Sequence, residues 1–470
     1  MSTVVEASTA AARELHSLAD QLERHSGFAD VLASLAAGHG GTLGGVWGSS
    51  CALVAAALEH HAPQTLVVVL PHSRDLDSLC DDLTLFTKAR VAQFPAWETD
   101  AGERVLNDEI YGRRLRVLKS LSSRDPTDRR SPRIIVTAIQ SLMQPVPSAA
   151  ALAAATRQIK VGDTLDMAEL TRWLAAEGCV STSAVEMAGE FSLRGGILDL
   201  FTPDAEHPIR VELFGDEVES LRSFDVATQR SLESLQAVDI TVLQPANTNR
   251  THFTAYLPPE SWFVLVEPSE LQEEGKFYHQ RLEKAEDFFS ASVCLGEINK
   301  FPSVTAAGVP SGSYDTTAHL QFESVERFSG DVHKVREELE TAAAEHRVYL
   351  VTETEAEAER LAELFSQTKL LQNGQMRFVT GRLARGFRFV QEQVLLISAA
   401  ELFHREEFAR PTQRQTSRAI DSFLQLREGD LVVHLSHGIG RYRGLKLLEK
   451  EQGAEAVSYT HLTLPTNREV

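Results

Sequence analysis

The sequence predicts a multidomain α/β chain. A parallel sheet of the nucleotide-binding type carries an inserted β-rich domain, and a second small α/β domain and the start of a small β-barrel follow. Three observations indicate this architecture. A chain of 470 residues is too long for one hydrophobic core. Strand-like and helix-like segments alternate over residues 12–150. The middle of the chain instead shows two-residue alternation around glycine turns.

The composition disfavours several classes of function. Hydrophobic residues make up 43% of the chain, and 46 basic against 66 acidic residues give a formal net charge of −20. This charge disfavours any binding mode in which the whole surface follows nucleic acid. The four cysteines have no metal-ligand spacing, and we find neither a signal-peptide pattern nor a membrane-length apolar run. We therefore expect a cytoplasmic monomer without a bound metal or a membrane partner.

The N-terminal domain, residues 12–150, is predicted to be a layered α/β sheet. Apolar spacing predicts a first helix over Ala12–Ala36 that ends at a glycine-rich stop. The strands and helices beyond it alternate, which implies parallel pairing. The predicted strands lie near Val46 and at Thr65–Leu70, Val91–Phe94 and Ile134–Val136, and the predicted helices lie at Ala52–His60, Leu76–Lys88 and Asp108–Leu121.

The first strand-to-helix loop stands where a phosphate-binding loop would be, but it lacks the chemistry of one. A working loop reads G-x-x-x-x-G-K-T, whereas Gly45 and Gly48 are here followed by Ser50, Cys51 and Ala52. Ser50 replaces the second glycine, Cys51 the lysine and Ala52 the hydroxyl that would hold magnesium. Only backbone amides would remain to bind a triphosphate. We therefore predict a degenerate P-loop with no ATPase activity, no catalytic residue and no cofactor.

The β-rich domain, residues 151–245, presents an aromatic side chain on a polar strand face. Along Ile209–Phe214, strict alternation buries one face and leaves Arg210 and Phe214 on the other. Arg194 ends an earlier strand just before a Gly-Gly break. An aromatic side chain in this position calls for a covering surface, either a partner protein or a neighbouring domain. The pattern alone favours the neighbouring domain, with both arginines solvated or salt-bridged.

The remaining boundaries follow from composition and pattern. A buried strand at Trp262–Val266 is predicted to return to the first sheet, which makes the β-rich domain an insertion. The basic loop Gly381–Arg388 is interpreted as exposed surface. The predicted segments are the return at 246–304, a linker rich in Ser, Gly and Thr at 305–318, a small α/β domain at 319–400, a second linker at 401–425, the start of a barrel at 426–457 and an atypical tail at 458–470.

Two stretches resemble known families. GEFSLRGGILDLFTP and RVELFGDEVESLRSFD resemble a segment shared by the excinuclease B subunit and the transcription-repair coupling factors. In the coupling-factor family this resemblance implies that Arg194, Arg210 and Phe214 bind excinuclease A. GDLVVHLSHGIGRYRGL resembles the opening of the CarD-like barrel by which coupling factors bind the RNA polymerase β subunit. This second resemblance implies a polymerase contact at Leu448.

The resemblance implies an adaptor that links stalled RNA polymerase to nucleotide excision repair. It covers the N-terminal part of a coupling factor and ends near Glu455, so we expect a truncated frame. In the family, ATP, Mg²⁺ and most DNA contacts belong to a translocating motor, which is missing here. The barrel should then be incomplete, with two strands.

Two alternatives remain. The first is an ATPase that resembles excinuclease B and acts on damaged DNA. The degenerate loop disfavours it, and so does the short segment Glu98–Asn107, where that subunit inserts an aromatic hairpin. The second is a regulator that only docks on RNA polymerase, which would require a complete barrel.

Overall fold

The computed structural model describes residues 2–97, 106, 108–122, 131–243, 250–282, 284–309, 314–325, 328–329, 334–403, 431–434, 438–450 and 453–461, with the backbone alone before residue 10 and beyond residue 403. These residues form two compact units, which are treated separately below. The first contains the described residues up to 403 and the second contains those from 431 onward. Among the described residues, no helix has the length and apolar character needed to cross a membrane.

The N-terminal elements alternate between helix and strand, as parallel pairing requires. The helices are α1 (Ser2–Leu22), α2 (Ser26–Ala36), α3 (Ser50–His61), α4 (Leu76–Thr84), α5 (Glu109–Ser122) and α6 (Ile139–Met143), and the strands are β1 (Gly41–Gly44), β2 (Leu66–Leu70), β3 (Val91–Phe94) and β4 (Ile134–Ala138). A short 3-10 turn at Ser73–Asp75 precedes α4. β3 has the predicted bounds, whereas β1 ends before Val46 rather than lying at it.

The single helix predicted over Ala12–Ala36 is in fact two helices. α1 ends at Leu22, and α2 begins at Ser26 after His25, whose backbone is extended with ψ at 125°. The turn redirects the chain, so that α2 can bury Phe28 against the sheet while α1 packs elsewhere. Continuous apolar spacing concealed this change of direction, because both helices are amphipathic.

The β-rich insertion is built mainly from antiparallel hairpins. Its elements are β5 (Val146–Pro147), α7 (Ala149–Ala154), β6 (Thr156–Lys160), α8 (Met167–Ala176), β7 (Val180–Ser181), β8 (Glu190–Arg194), β9 (Ile197–Phe201), β10 (Ile209–Phe214), β11 (Glu217–Phe224), β12 (Ser231–Leu235) and β13 (Ala237–Thr241). One six-stranded sheet has the order β12-β11-β10-β9-β8-β7, and β13 pairs separately with β6. One face of the six-stranded sheet is apolar and buried, with Leu198, Leu200 and Val211 at its centre.

The chain then returns to the first sheet, at the strand that the buried pattern of Trp262–Val266 predicts. The elements of the return are β14 (Arg250–Thr251), β15 (Trp262–Val266), α9 (Pro268–Arg281), α10 (Ala291–Ile298), β16 (Ser303–Ala307) and β17 (Thr317–His319), with 3-10 turns at Phe253–Tyr256 and Ala285–Asp287. β15 lies between β2 and β16 in a parallel sheet of order β17-β1-β16-β15-β2-β4-β3.

The linker predicted at 305–318 is wrong at both of its ends, because strands of this sheet occupy them. β16 includes Thr305 and is buried along its whole length between β1 and β15. β17 adds a strand at the edge of the sheet, parallel to β1. Small Ser, Thr and Ala side chains can fill a strand that neighbouring strands and helices enclose. The composition of this segment indicated a linker, whereas its pairing with β1 and β15 makes it a strand.

The second small α/β domain follows directly. Its elements are β18 (Phe322–Ser324), α11 (Lys334–Ala342), β19 (Arg347–Thr352), α12 (Glu355–Phe365), α13 (Lys369–Gln372), β20 (Met376–Thr380), β21 (Phe387–Phe389), β22 (Val394–Ser398) and α14 (Ala399–Leu402). The strands form a mixed sheet of order β18-β21-β22-β19-β20. A side chain of this sheet contacts the N-terminal helix, because the Tyr349 hydroxyl donates to the Glu14 carboxylate at 2.7 Å.

The first sheet separates two hydrophobic cores. Val68 of β2 points into one core and its neighbour Val67 into the other, as strand alternation requires. The first core also contains residues of α1 to α4 and of the small α/β domain, including Phe387. The second core contains residues of the insertion, including Val211. The small domain and the insertion therefore pack on opposite faces of the same sheet.

The C-terminal unit is a three-stranded antiparallel sheet of β23 (Leu431–His434), β24 (Gly438–Lys450) and β25 (Gly453–His461), in that order. We expected two strands and an atypical tail from Ser458. Instead, β25 continues through Ser458 and pairs with β24. The predicted boundary rested on the resemblance alone, whereas Val457 and Tyr459 are residue types that favour a strand.

Candidate functional site

Two hairpin turns lie side by side at one end of the six-stranded sheet. Gly195 in the β8–β9 turn has a φ of +61° and Gly215 in the β10–β11 turn has a φ of +65°. The Leu213 amide joins the two turns by donating to the Gly196 carbonyl at 2.8 Å. Glycine is favoured at both positions because left-handed backbone is costly for other residues. We call the surface formed by residues 193–197 and 214–217 the sheet end.

Phe214 projects from the sheet end with 81% of its surface exposed. It pairs with Glu217 across the β10–β11 turn, at the last position of β10. An irregularity in the β10–β11 register at Glu212/Leu213 lies just before it. The interpretation in which a neighbouring domain covers Phe214 is therefore wrong for the described part of the chain. A large apolar side chain left in water is typical of an interaction site.

Arg210 does not stand free beside this ring. Its guanidinium forms a bidentate pair with Asp199, with Nε and Nη2 at 2.7 and 2.9 Å from the two carboxylate oxygens. Asp199 lies directly opposite on β9 and is only 3% exposed. Hydrogen bonding to Asp199 raises the pKa of Arg210, and the guanidinium also lies 4.6 Å from the centre of the Phe224 ring. Arg210 is thus held in one orientation on the sheet face.

Arg194 is the more accessible of the two arginines. It ends β8 opposite Ile197, its side chain is 60% exposed, and one of its guanidinium nitrogens lies 3.8 Å from Asp199. The buried Asp199 carboxylate therefore faces both predicted arginines. It holds Arg210 closely and leaves Arg194 able to turn towards a partner. Exposed pairs of this length contribute little to stability.

Sequence reasoning missed three residues of this surface. Asp199 holds the two arginines, and Leu193 and Ile197 add exposed apolar area, at 43% and 39%. Leu193 shares a strand face with the buried Phe191, but it lies too near the end of the sheet to be covered. Asp199 could have been found only from the register of β9 against β10, since nothing in its local sequence marks it.

The Gly45–Ala52 loop has a different character, because most of its backbone amides donate within the protein. The Gly45 and Val46 amides donate to the carbonyls of Gly308 and Ala307. The Trp47 amide donates to the Ser50 hydroxyl at 3.0 Å. The amides of Ser50 and Cys51 donate to carbonyls three residues earlier. Amides engaged in this way are poorly placed to hold phosphate oxygens.

The small α/β domain lies over this loop. The Arg385 amide donates to the Ser49 hydroxyl at 2.9 Å, and a Cβ at Gly48 would meet the Arg385 side chain at 3.4 Å. The Trp47 indole donates to the Phe322 carbonyl at 3.1 Å. The basic loop Gly381–Arg388 therefore contacts the first domain through the Arg385 backbone, although Arg385 itself is exposed as expected. The interpretation as exposed surface is wrong for Leu383, Gly386 and Phe387, which are buried.

The charges next to Cys51 oppose an anion. Burial raises the pKa of the Cys51 thiol to about 12, and the carboxylates of Glu267 and Asp82 act in the same direction. Cys51 is therefore a neutral thiol where a phosphate loop would carry the lysine cation. Asp82 also accepts from the Ala384 amide at 2.8 Å, so this carboxylate binds the covering segment.

Leu448, the predicted polymerase contact, lies on β24 opposite Glu455 of β25. Its side chain lies outside the part of the structure that is described. The structure therefore places Leu448 within an antiparallel strand pair, and in the other unit it places Arg194, Arg210 and Phe214 on one face of the six-stranded sheet.

Comparison with known families agrees with this arrangement. The UvrB interaction domain matches residues 158–247, a range that includes Arg194, Arg210 and Phe214. The CarD-like/TRCF RID domain matches residues 426–468, which include Leu448 and continue past Ser458, where the likeness was expected to have ended.

Curated relatives give the same result over a longer range. The transcription-repair-coupling factor of Bacillus subtilis is 23% identical over 87% of this chain and 42% of its own length. The chain is a relative of the transcription-repair-coupling factors. The Staphylococcus aureus (strain MRSA252) protein of that name is 28% identical over 63% of this chain and 33% of its own length. That of Mycobacterium bovis is 37% identical over 39% of this chain and 15% of its own length. The chain thus spans less than half the length of these relatives.

Proposed function

We propose that this chain is an adaptor in transcription-coupled repair, which recruits excinuclease A through the sheet end. Its relationship to the coupling factors and its UvrB interaction domain support a role in coupling transcription to repair. The observation that carries the finer proposal is Phe214, an aromatic ring 81% exposed on an otherwise polar strand face. Rings and arginines of this kind supply much of the binding energy at protein interfaces.

The chemistry of the sheet end indicates what the partner must offer. Phe214 needs an apolar pocket, and Ile197, which lies on the same face of the sheet and is 39% exposed, adds apolar area at the sheet end. Arg194 provides a cation whose own pairing is weak, at 3.8 Å. A complementary surface on excinuclease A would therefore combine an apolar pocket with a carboxylate at its rim. Arg210 would act mainly by presenting to the partner a guanidinium that Asp199 holds in one orientation.

We propose a second partner, the RNA polymerase β subunit, for the C-terminal unit. The CarD-like/TRCF RID match and the three-stranded sheet support this assignment. Leu448 would contribute to the contact from β24. Among the described strands of this unit β23 and β25 lie at the edges, and an edge strand of this kind could extend a sheet of the partner.

We further propose that the Gly45–Ala52 loop binds no triphosphate and that this chain has no catalytic residue. The internally bonded amides, the neutral Cys51 and the covering Arg385 support this. ATP, Mg²⁺ and translocation on DNA would then belong to a motor outside this chain. The alternative, an ATPase that resembles excinuclease B, would require the loop to release both its internal bonds and the segment that covers it.

Binding measurements test the adaptor proposal. Calorimetric titration of the whole chain with excinuclease A should give a complex, which Phe214→Ala weakens by about 2 kcal/mol, or roughly 30-fold. Arg194→Ala should weaken it less, because its guanidinium is only partly desolvated. Phe277→Ala on α9, which removes another exposed phenylalanine, and Arg172→Ala on α8 are the matched controls and should bind as the parent does. Equal binding by all variants, or none by the parent, would exclude the sheet end as the site.

Thermal unfolding tests the nucleotide proposal. A ligand that binds only the folded state raises the melting temperature, so millimolar Mg-ATP should leave it unchanged here. A rise that is abolished by Ser49→Ala or Ser50→Ala would instead favour the ATPase alternative.

A further inference from the structure

Metal-ligating side chains meet where the C-terminal ends of α1 and α3 come together. Asp20 lies in the last turn of α1 and Glu23 follows its end, while His60 and His61 end α3. The ligand atoms of Asp20, Glu23 and His60 all lie within 4.8 Å of one another. Among the described side chains, no other group of three or more histidine, cysteine or acidic residues is gathered as closely.

The distances suit a single ion. His60 Nδ1 lies 2.8 Å from a Glu23 oxygen and 3.5 Å from an Asp20 oxygen. His61 Nε2 lies 2.9 Å from the other oxygen of Glu23. Ligand atoms bound to one zinc ion at about 2.0–2.2 Å are separated by about 3–3.5 Å in a tetrahedron. Only a small displacement would therefore admit an ion between His60, Asp20 and Glu23.

Charge at this place favours a cation. Two carboxylates lie at the end of α1, where the helix dipole is negative, and the last turn of α1 contains no basic residue. Arg24 is the cation that lines the same open groove, of 630 Å³, with Glu23 and His61. All four side chains are partly exposed, so an ion could enter without unfolding, and water could complete its coordination.

We propose that Asp20, Glu23 and His60, with His61 as a fourth ligand or as a hydrogen-bond donor to Glu23, bind a Zn²⁺-type transition-metal ion. The mixed imidazole and carboxylate ligands select such an ion over Mg²⁺ or Ca²⁺, which prefer oxygen ligands alone. Binding would replace the hydrogen bond between His60 Nδ1 and Glu23 with bonds from both groups to the ion.

The ion would join α1 to α3, and its effect would extend beyond these helices. α1 also contacts the small α/β domain, where Glu14 accepts from the Tyr349 hydroxyl and pairs with Arg377. Fixing the C-terminal end of α1 would therefore stabilise the helix that packs against both the first domain and the small one.

Calorimetry of the whole, untagged chain with Zn²⁺, and with Co²⁺ as a spectroscopic substitute, tests the proposal. We expect a site whose affinity falls at least tenfold in both His60→Ala and His60→Gln, together with a rise in melting temperature on zinc addition that these variants lose. His60→Gln preserves a hydrogen-bonding side chain, so its loss of binding could not be ascribed to misfolding. His39→Ala, an exposed histidine elsewhere in the same domain, is the control and should bind as the parent does. Affinity unchanged in both His60 variants, no zinc binding, or equal binding of Mg²⁺ would overturn the proposal.

Discussion

The sheet end and the Gly45–Ala52 loop are both glycine turns next to strands, yet one is open and the other is closed. Gly215 and Gly45 have similar φ values of +65° and +73°. A Cβ at Gly215 would meet nothing within 4 Å, whereas a Cβ at Gly45 would overlap the Leu320 carbonyl oxygen. Beside the open turn an aromatic ring is exposed, and beside the closed one a cysteine is buried.

This difference predicts separate roles for the Gly45–Ala52 loop and the sheet end. At the loop, most backbone amides donate to the protein itself, and Trp47 and Ser49 join the loop to the small α/β domain. At the sheet end, Asp199 fixes Arg210 but leaves Phe214 and most of Arg194 exposed. Changes at the loop should therefore reduce stability, whereas changes at the sheet end should reduce binding of a partner.

The largest expected effect comes from the closed turn. Gly45→Ala should lower the free energy of unfolding by about 3 kcal/mol or more, because it adds a clash to the cost of left-handed backbone. Gly215→Ala is the matched control and should cost only about 1 kcal/mol, since its Cβ would project into open space. Denaturant unfolding measures both values. Equal losses in the two variants would remove the distinction between an open and a closed turn.

As the pH is lowered, the α/β part that contains His252 should lose stability at a higher pH than the six-stranded sheet that contains Glu212. Burial lowers the pKa of His252 to about 4. The unfolded chain, with an ordinary pKa of about 6.5, therefore binds the proton more readily. The resulting stability is complete above about pH 6.5 and falls as the pH is lowered to about 4, by about 3 kcal/mol at most. Hydrogen bonds from Arg222 and Ser220 lower the pKa of Glu212, so that its stabilising contribution persists to more acidic pH and is lost only as the pH falls through its folded-state pKa.

Unfolding free energies of the parent and of His252→Gln, measured from pH 7 to pH 4, check this prediction. The parent should lose more stability than the variant across that range. Parallel curves for the two chains would contradict the assignment of a buried, neutral imidazole.

A smaller effect, on partner binding, is expected from removing the Asp199 carboxylate. Asp199→Asn should weaken excinuclease A binding about tenfold, or about 1.4 kcal/mol, because Arg210 loses the carboxylate that orients it. Asp204→Asn removes a carboxylate that pairs with Lys119, away from the sheet end, and serves as the control. Affinity retained by Asp199→Asn would show that the orientation of Arg210 does not matter for binding.

Much of the fold could be predicted from local pattern. β3, β10 and β15 have the predicted bounds, because each combines clear periodicity with marked ends. β16 was missed because its strand character comes from the strands on both sides of it. The third strand of the C-terminal unit was missed because a family likeness, rather than alternation, set the boundary.

The candidate site could be predicted only in part from the sequence. The exposure of Phe214 follows from alternation at the end of a strand, but the pairing of Arg210 with Asp199 depends on the register between two strands. The position of Arg385 over Gly48 depends on the docking of two domains far apart in the chain. No local pattern contains either piece of information.

Site-specific photo-crosslinking to excinuclease A tests the central claim most directly. With a photoreactive phenylalanine analogue at position 214, we predict a covalent complex between the two proteins. The same analogue at position 277, another exposed phenylalanine, should give none. Crosslinking from position 277 but not from position 214, or from neither while the two proteins still bind, would contradict the account.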